Sequence, residues 1–228
     1  RFAALVPAVI VTGLSFLYIS PDAHSLNHLA TPHYVVLGLG FVWWIIASLM
    51  AITYPKTTKS WQNNFVLRHV FGFLTLIPFL WSVVILRAHD ITVDPYHGAK
   101  LVLYVCFLVW AADSGAYFAG KSLGKRKMAP HVSPNKTIEG LIGGIITALI
   151  VAWAFADWFD IQFSSPVHMV LITLVTVVIS VLGDLVESMF KRVSGIKDSS
   201  NIIPGHGGVL DRIDSLTAAF PVFALLYY

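Results

Sequence analysis

The sequence is short of charge and of cysteine. Only 12% of its 228 residues are Asp, Glu, Lys or Arg, whereas soluble domains carry roughly 25%. Cys106 is the single cysteine and lies in an apolar run, which excludes an internal disulfide framework. Hydrophobic residues make up 57% of the chain. These proportions exclude an ordinary soluble domain and predict a polytopic membrane protein.

Apolar runs recur along the chain at lengths typical of membrane spans. A spanning helix needs about 20 apolar residues, and seven segments reach or approach that length. We therefore predict an all-α fold, a transmembrane helical bundle of about seven spans with polar cytoplasmic loops. The predicted spans are residues 2–20, 34–54, 65–86, 101–118, 138–159, 166–190 and 216–228.

Basic residues alternate between the predicted loops. Thirteen of the fifteen Lys and Arg residues fall in one set of loops, whereas the opposite set holds only Arg87 and Lys100. Loops rich in Lys and Arg stay in the cytoplasm. This pattern predicts that the polar loops 119–137 and 191–215 face the cytoplasm.

Three carboxylates interrupt the apolar runs. Asp113 lies in the fourth predicted span, and Asp184 and Glu187 lie in the sixth. A carboxylate at the membrane centre costs at least about 2.5 kcal/mol, so it usually faces a cavity or a partner. Asp113 precedes Lys121, and Asp184 precedes Lys191, by roughly 12 and 10 Å along a helix. Their similar depth predicts a shared polar cavity open to the cytoplasm, and structural ion pairs are the alternative.

The first polar loop ends in Ser133-Pro134-Asn135-Lys136-Thr137. Thr137 has the side chain of an N-cap for the fifth helix, and the N–H groups of a helix start can hold a phosphate. The basic residues of this loop would also attract anionic lipid headgroups. The alternative interpretation is a helix cap combined with a topology signal.

The second polar loop contains a glycine-rich turn at residues 204–208, with His206 at its centre. Such a turn exposes backbone N–H groups, as phosphate-binding nests do. Asp211 and Asp214 follow, and carboxylates select hard cations such as Mg²⁺. Together with Asp184 they predict a metal-assisted phosphate site, whereas a plain connecting turn is the alternative for residues 204–208.

Two groups of motifs resemble the CDP-diacylglycerol synthase (phosphatidate cytidylyltransferase) family. The match is long in the second polar loop, and shorter matches occur in the fourth span and the first loop. The matching residues are Ser188-x-Phe190-Lys191-Arg192, Lys197-Asp198, Pro204-x-His206-Gly207-Gly208-x-x-Asp211-Arg212-x-Asp214, Asp113-Ser114-Gly115-Ala116-Tyr117 and Ser133-Pro134-Asn135-Lys136-Thr137-x-Glu139-Gly140.

The resemblance covers the chain from the fourth span onward. It implies that residues 100–228 form the catalytic transmembrane region, whereas residues 1–99 are generic N-terminal helices. Family members usually carry further N-terminal helices, and this chain starts at Arg1. We therefore expect it to be part of a longer protein.

The resemblance also implies a reaction, in which CTP and phosphatidic acid give CDP-diacylglycerol and pyrophosphate during phospholipid biosynthesis. It implies Mg²⁺ as cofactor, with a second cation such as K⁺ beside it. We expect an integral protein of the bacterial inner membrane that contacts membrane lipids, forms a homodimer, binds no nucleic acid and has its active site towards the cytoplasm.

The resemblance assigns roles to particular residues. The implied catalytic residues are Asp184, Asp211, Lys136 and His206. The implied metal ligands are Asp184, Asp211, Asp214 and Glu187. The implied substrate-binding residues are Asp113, Ser133, Asn135, Lys136, Lys191, Arg192, Lys197, Asp198, Gly207, Gly208 and Arg212.

Residue chemistry agrees with this reaction. The lipid phosphate is mostly ionised at neutral pH, since the second pKa of a phosphomonoester is near 6. A general base is therefore dispensable, and the difficulty is to bring two polyanions together. Metal ions and basic side chains neutralise and align them.

Two other classes of protein share some of these features. A transporter also places carboxylates within membrane helices, but it usually has paired repeats with broken helices, and the sequence shows no repeat. A CDP-alcohol phosphotransferase is metal-dependent too, but its spaced D-G, A-R, G, D and D pattern is absent.

Overall fold

The computed structural model describes residues 5–18, 28–205 and 207–228. Seven helices and one small hairpin occur within those ranges. The helices are α1 (Leu5–Tyr18), α2 (Thr31–Ile52), α3 (Phe65–Arg87), α4 (His97–Leu123), α5 (Ile138–Phe159), α6 (Pro166–Ser194) and α7 (Leu210–Tyr227), with a 3₁₀ turn at Thr58–Ser60. The strands are β1 (Lys127–Ala129) and β2 (Ser133–Thr137).

Polar residues fix where the helices start and end. The side-chain oxygens of Asn64, Thr137 and Ser165 each accept a backbone N–H bond at the start of α3, α5 and α6. Such caps satisfy donors that have no partner inside the helix. α6 ends at Gly195, which has a left-handed φ of 67°. The predicted N-cap role of Thr137 is thus confirmed.

Five of the described helices, α2 to α6, are long and apolar enough to cross a membrane. α1 spans 14 residues, fewer than the roughly 20 that a span needs. α7 carries Asp211, Arg212 and Asp214 in its first turns. The protein is therefore a helical membrane protein, and the expectation of about seven spans is not confirmed.

The first polar loop is more ordered than the sequence predicts. α4 continues to Leu123, and the residues that follow form the antiparallel β1–β2 hairpin, in which Lys127 lies opposite Thr137. The predicted all-α fold therefore needs one correction, because the described residues also form a two-stranded β-hairpin. Ala129 and Val132 of the hairpin are buried against the helical core. These strands are too short and too polar to show an alternating pattern in the sequence.

Small residues bring the helices that carry the carboxylates close together. A Cβ atom built on Gly143 of α5 would lie 2.2 Å from the Cβ atom of Ala119 on α4. A Cβ atom on Gly183 of α6 would lie 2.6 Å from the Cβ atom of Ala218 on α7. Small residues allow such close approach in membrane helices. Gly143 therefore allows α4 and α5 to pack closely.

Candidate active site

One cavity of about 290 Å³ lies between α4, β2, α5 and α6, and we call it the polar cavity because charged side chains interrupt its largely apolar wall. Asp113 and Asp184 both line it, although they belong to different helices. Asn135 and Lys136 of β2 line the same cavity. The prediction that the two acids share a cavity is confirmed, and the hairpin supplies its basic wall.

Lys136 and Asp184 form the central ion pair of this cavity. The Nζ atom of Lys136 lies 2.5 Å from Oδ2 of Asp184 and donates a second hydrogen bond to the Val181 carbonyl at 3.2 Å. Ser188 donates to Oδ1 of Asp184 at 3.3 Å. The two charged side chains remain 23% and 29% exposed. The predicted site lysine therefore meets the predicted site carboxylate in a place that a ligand can reach.

Further carboxylates add negative charge to the same region. Asp214 at the start of α7 lies within electrostatic range of Asp184 and of Lys136. Asp113 lies within electrostatic range of all three of these side chains. Glu187 is buried, and its carboxyl group meets that of Asp214 at hydrogen-bonding distance. Two carboxylates this close repel each other unless a proton or a cation lies between them. The carboxylates thus outnumber the cationic side chains that face them.

The Asp211 carboxylate has different surroundings, because protein donors bond it directly, and its predicted role as a metal ligand stays a prediction. It accepts hydrogen bonds from Lys191 at 2.9 Å, from the Gly208 N–H at 2.7 Å, and from the N–H and hydroxyl of Ser199. Lys191 also bonds Glu187 at 3.1 Å. Desolvation raises the pKa of Asp211, but these hydrogen bonds outweigh it and hold that pKa well below its ordinary value. Asp211 therefore organises the loop that joins α6 to α7.

The glycine-rich turn is built around this same carboxylate. Gly205 and Gly207 have left-handed φ angles of 72° and 84°, which glycine adopts without steric cost. A Cβ atom on Gly207 would lie 2.9 Å from an Asp211 oxygen, and one on Gly208 would lie 2.1 Å from a serine hydroxyl. The turn does bind an anion here, but that anion is a side chain of the protein. His206 lies outside the described residues, so its predicted role stays a prediction.

A second polar cavity, of about 470 Å³, opens beside this turn. Ser133 and Arg192 do not line either polar cavity in the described part of the chain. The Nε atom of Arg192 instead donates a hydrogen bond to the Val132 carbonyl at 3.4 Å. This bond connects α6 to the hairpin. The predicted substrate-binding residues in the second cavity are Lys197, Asp198, Gly207 and Arg212.

Arg68 is a residue that the sequence interpretation treated only as a topology signal. It lines an apolar cavity of about 210 Å³ together with Trp44, Phe71, Glu187 and Asp214. Glu187 and Asp214 thus line the apolar cavity, whereas Asp113 and Asp184 line the polar one. The sequence could have identified Arg68 by its position, since it is a basic residue at the fourth position of an apolar helix.

Comparison with known proteins identifies the family of the chain. Residues 2–228 match the cytidylyltransferase family, and the chain belongs to that family. Phosphatidate cytidylyltransferase of Haemophilus influenzae is 56% identical over 189 residues, which are 82% of this chain and 66% of that protein. The Pseudomonas aeruginosa enzyme of the same name is 45% identical over 204 residues, 90% of this chain and 73% of that protein.

The Bacillus subtilis phosphatidate cytidylyltransferase is 43% identical over 183 residues, which cover 80% of this chain and 66% of that protein. The chain thus spans about two thirds of the length of the H. influenzae and B. subtilis relatives. The resemblance that the sequence motifs indicated is confirmed.

Proposed function

We propose that the protein transfers CMP from CTP to phosphatidic acid and releases pyrophosphate. The phosphate oxygen of the lipid attacks the α-phosphorus of CTP, and the bond between the α-phosphorus and the bridging oxygen breaks. The names of the relatives support this reaction. One structural observation supports it: Asp184 lines a polar cavity suited to a nucleotide, Asp214 lines an apolar cavity suited to a lipid, and these two carboxylates lie within electrostatic range of each other.

The apolar cavity has the composition that a diacyl substrate requires. Trp44, Phe71 and Phe190 line it, and Arg68 places a cation in the same lining. A guanidinium group binds phosphate through several N–H groups in one plane. We assign Arg68 to the phosphatidate headgroup, which would bring the headgroup to the carboxylates.

The residues present fit a divalent cation. Asp184 and Asp214 repel each other, and the Asp214 carboxyl group also contacts the buried carboxyl group of Glu187. Mg²⁺ prefers carboxylate oxygens and keeps substrate phosphates as further ligands. We assign Asp184 and Asp214 as its ligands, since protein donors already occupy the Asp211 carboxylate. When bound, the ion would neutralise part of the phosphate charge. A second cation such as K⁺ would neutralise more of that charge.

The chain's own cations align the two substrates. Lys136 can exchange its contact with Asp184 for a phosphate oxygen, because both groups are partly exposed in the polar cavity. Lys197 lines the second polar cavity, where the remaining phosphates of CTP would lie. No general base is needed, since the lipid phosphate is already mostly ionised at neutral pH. The site then works by positioning and electrostatic stabilisation.

The same proposal includes the location of the protein and its oligomeric state. Five apolar helices and relatives from bacteria support an integral membrane protein. We place it in the inner membrane as a homodimer, with the active site towards the cytoplasm, because CTP is a cytoplasmic nucleotide and the basic loops lie at that end.

Product analysis tests this proposal against the two alternatives. Purified protein in vesicles is supplied with labelled CTP, Mg²⁺ and phosphatidic acid, and we expect labelled CDP-diacylglycerol with an equal amount of pyrophosphate. Release of CMP in the presence of an alcohol acceptor and CDP-diacylglycerol would indicate a CDP-alcohol phosphotransferase. Solute movement without consumption of CTP would indicate a transporter.

A further inference from the structure

A second cluster of metal-ligating side chains lies in the turn between α3 and α4. The ligand atoms of His89, Asp90 and His97 all lie within 4.8 Å of one another. Asp113 follows His97 by sixteen residues on α4, which is roughly 24 Å along a helix. The proposed cytidylyl transfer therefore makes no use of this cluster.

The backbone brings the two histidines together. A Cβ atom on Gly98 would lie 2.1 Å from the Arg87 carbonyl oxygen, so only glycine allows the start of α4 to meet the end of α3 in this way. Asp90 has a left-handed φ of 50°, which is uncommon for a residue with a side chain. The result is a compact turn in which the His89 and His97 rings lie 5.3 Å apart, centroid to centroid.

Tyr228 orients the His89 ring. The tyrosine hydroxyl lies 2.8 Å from Nδ1 of His89 and donates to the Ile85 carbonyl at 3.4 Å. With the hydroxyl hydrogen directed at Ile85, the tyrosine oxygen can accept the Nδ1–H of His89, and Nε2 is then the nitrogen that can bind a metal ion. Metal-ligating histidines usually have their second nitrogen held in this manner.

The His89 ring faces the Asp90 carboxylate. A neutral imidazole is the form that binds a metal ion. The Nε2 atom lies 3.6 Å from Oδ2 of Asp90, which is too long for a hydrogen bond.

We propose that His89, Asp90 and His97 bind one Zn²⁺ ion, which connects the end of α3 to the start of α4. Two imidazoles and one carboxylate, with water in the fourth position, form a common zinc ligand set. Zinc bonds of 2.0–2.2 Å place tetrahedral ligand atoms roughly 3.3 Å apart. The separation between His89 and Asp90 is already close to this value, and His97 needs only a small side-chain adjustment.

Zinc content after dialysis tests the site directly. The full chain is purified in detergent, stripped with a chelator and dialysed against zinc, and metal is measured by mass spectrometry. We expect one zinc per chain for the wild type and a loss of this zinc for His89→Gln and for His97→Gln. His168→Ala is the matched control, because His168 bonds Ser164 near the start of α6 at the same end of the bundle.

A conservative change tests the orientation of His89. Tyr228→Phe removes only the hydroxyl, and it should weaken zinc binding by about 10–100-fold. Zinc should also raise the melting temperature of the wild type, as a ligand of the native state does, and should not raise that of His97→Gln.

Either of two results would overturn the zinc site. One is a wild-type chain that retains no zinc after dialysis, which needs no variant to interpret. The other is a histidine variant that elutes as a monodisperse protein and still binds zinc as the wild type does. These readouts do not depend on cytidylyl transfer, so failure of the proposed reaction leaves them intact.

Discussion

At the scale of single residues, Asp211 and Asp184 are carboxylates with different surroundings. Asp211 is 7% exposed and bonded to Lys191 and the loop, whereas Asp184 is 29% exposed and faces a cavity. The sequence predicts both as ligands of one metal site. It does not show which acid is already surrounded by protein donors, since the Ser199 and Gly208 N–H groups among them are backbone groups that almost any residue carries.

Asp211→Asn should therefore act first on stability. Removing the charge weakens several hydrogen bonds to a charged acceptor and should cost on the order of 1–3 kcal/mol at pH 7. Because the pKa of Asp211 is lowered in the folded protein, its stabilisation is present above about pH 4, the unfolded value, and is lost as pH falls through the folded value. Melting temperatures of the variant and wild type should converge only in strong acid, and a difference that disappears near pH 6 would contradict this role.

Lys136 and Lys127 provide a matched pair within one hairpin. Lys136 contacts Asp184 in the polar cavity, whereas Lys127 is exposed on β1. Lys136→Ala should lower kcat/KM by at least about tenfold, as expected for loss of a charged contact worth more than 1.4 kcal/mol. Lys127→Ala should leave kcat/KM within about twofold of the wild type. Equal effects of the two substitutions in a CTP titration would show that the lysines were assigned wrongly.

The turn at residues 204–208 needs a paired measurement of activity and stability. Gly208→Ala would place a methyl group 2.1 Å from the Ser199 hydroxyl oxygen, so it should lower both the melting temperature and activity. His206→Ala should lower activity alone if its side chain contacts a phosphate. An active His206→Ala variant would leave the turn with the structural role of binding Asp211.

At the scale of helices and strands, the sequence predicted much of the framework. Apolar runs placed α5 at its observed bounds, and the other described helices lie within a few residues of the predicted spans except where polar turns extend them. α4 and α6 continue past the apolar runs because Lys, Arg and Ser favour or tolerate helix outside the membrane. The β1–β2 hairpin was missed, since its order comes from packing against α2 and α6 rather than from a period in the sequence.

The close contact of α4 and α5 yields a prediction at this scale. Gly143→Ala inserts a methyl group 2.2 Å from Ala119, and such overpacking typically costs about 1–3 kcal/mol. Gly72→Ala on α3 is the control, because no atom lies within 4 Å of its added Cβ. The first variant should melt below the wild type in detergent and the second should not. A Gly143→Ala variant of unchanged stability would mean that α4 and α5 are less closely packed than described.

At the scale of the whole molecule, the bundle has chemically different ends. The end formed by the start of α5 and α7 holds the carboxylates, the basic hairpin and the polar cavities, whereas the opposite end holds the histidine turn. The sequence indicated the first end through its motifs. It did not indicate the second, because His89 and His97 are brought together only by the turn between α3 and α4.

The most direct test of the account is pyrophosphate release from vesicles that contain the purified wild type or Asp184→Asn. We expect release by the wild type only when CTP, phosphatidic acid and Mg²⁺ are all present. Asp184→Asn should lower this rate by orders of magnitude while its melting temperature stays near that of the wild type. The reason is that Asp184 is partly exposed in the polar cavity, so it contributes to the reaction rather than to packing of the fold. Near-normal release by Asp184→Asn at limiting Mg²⁺, or wild-type release without phosphatidic acid, would contradict the proposed site and reaction.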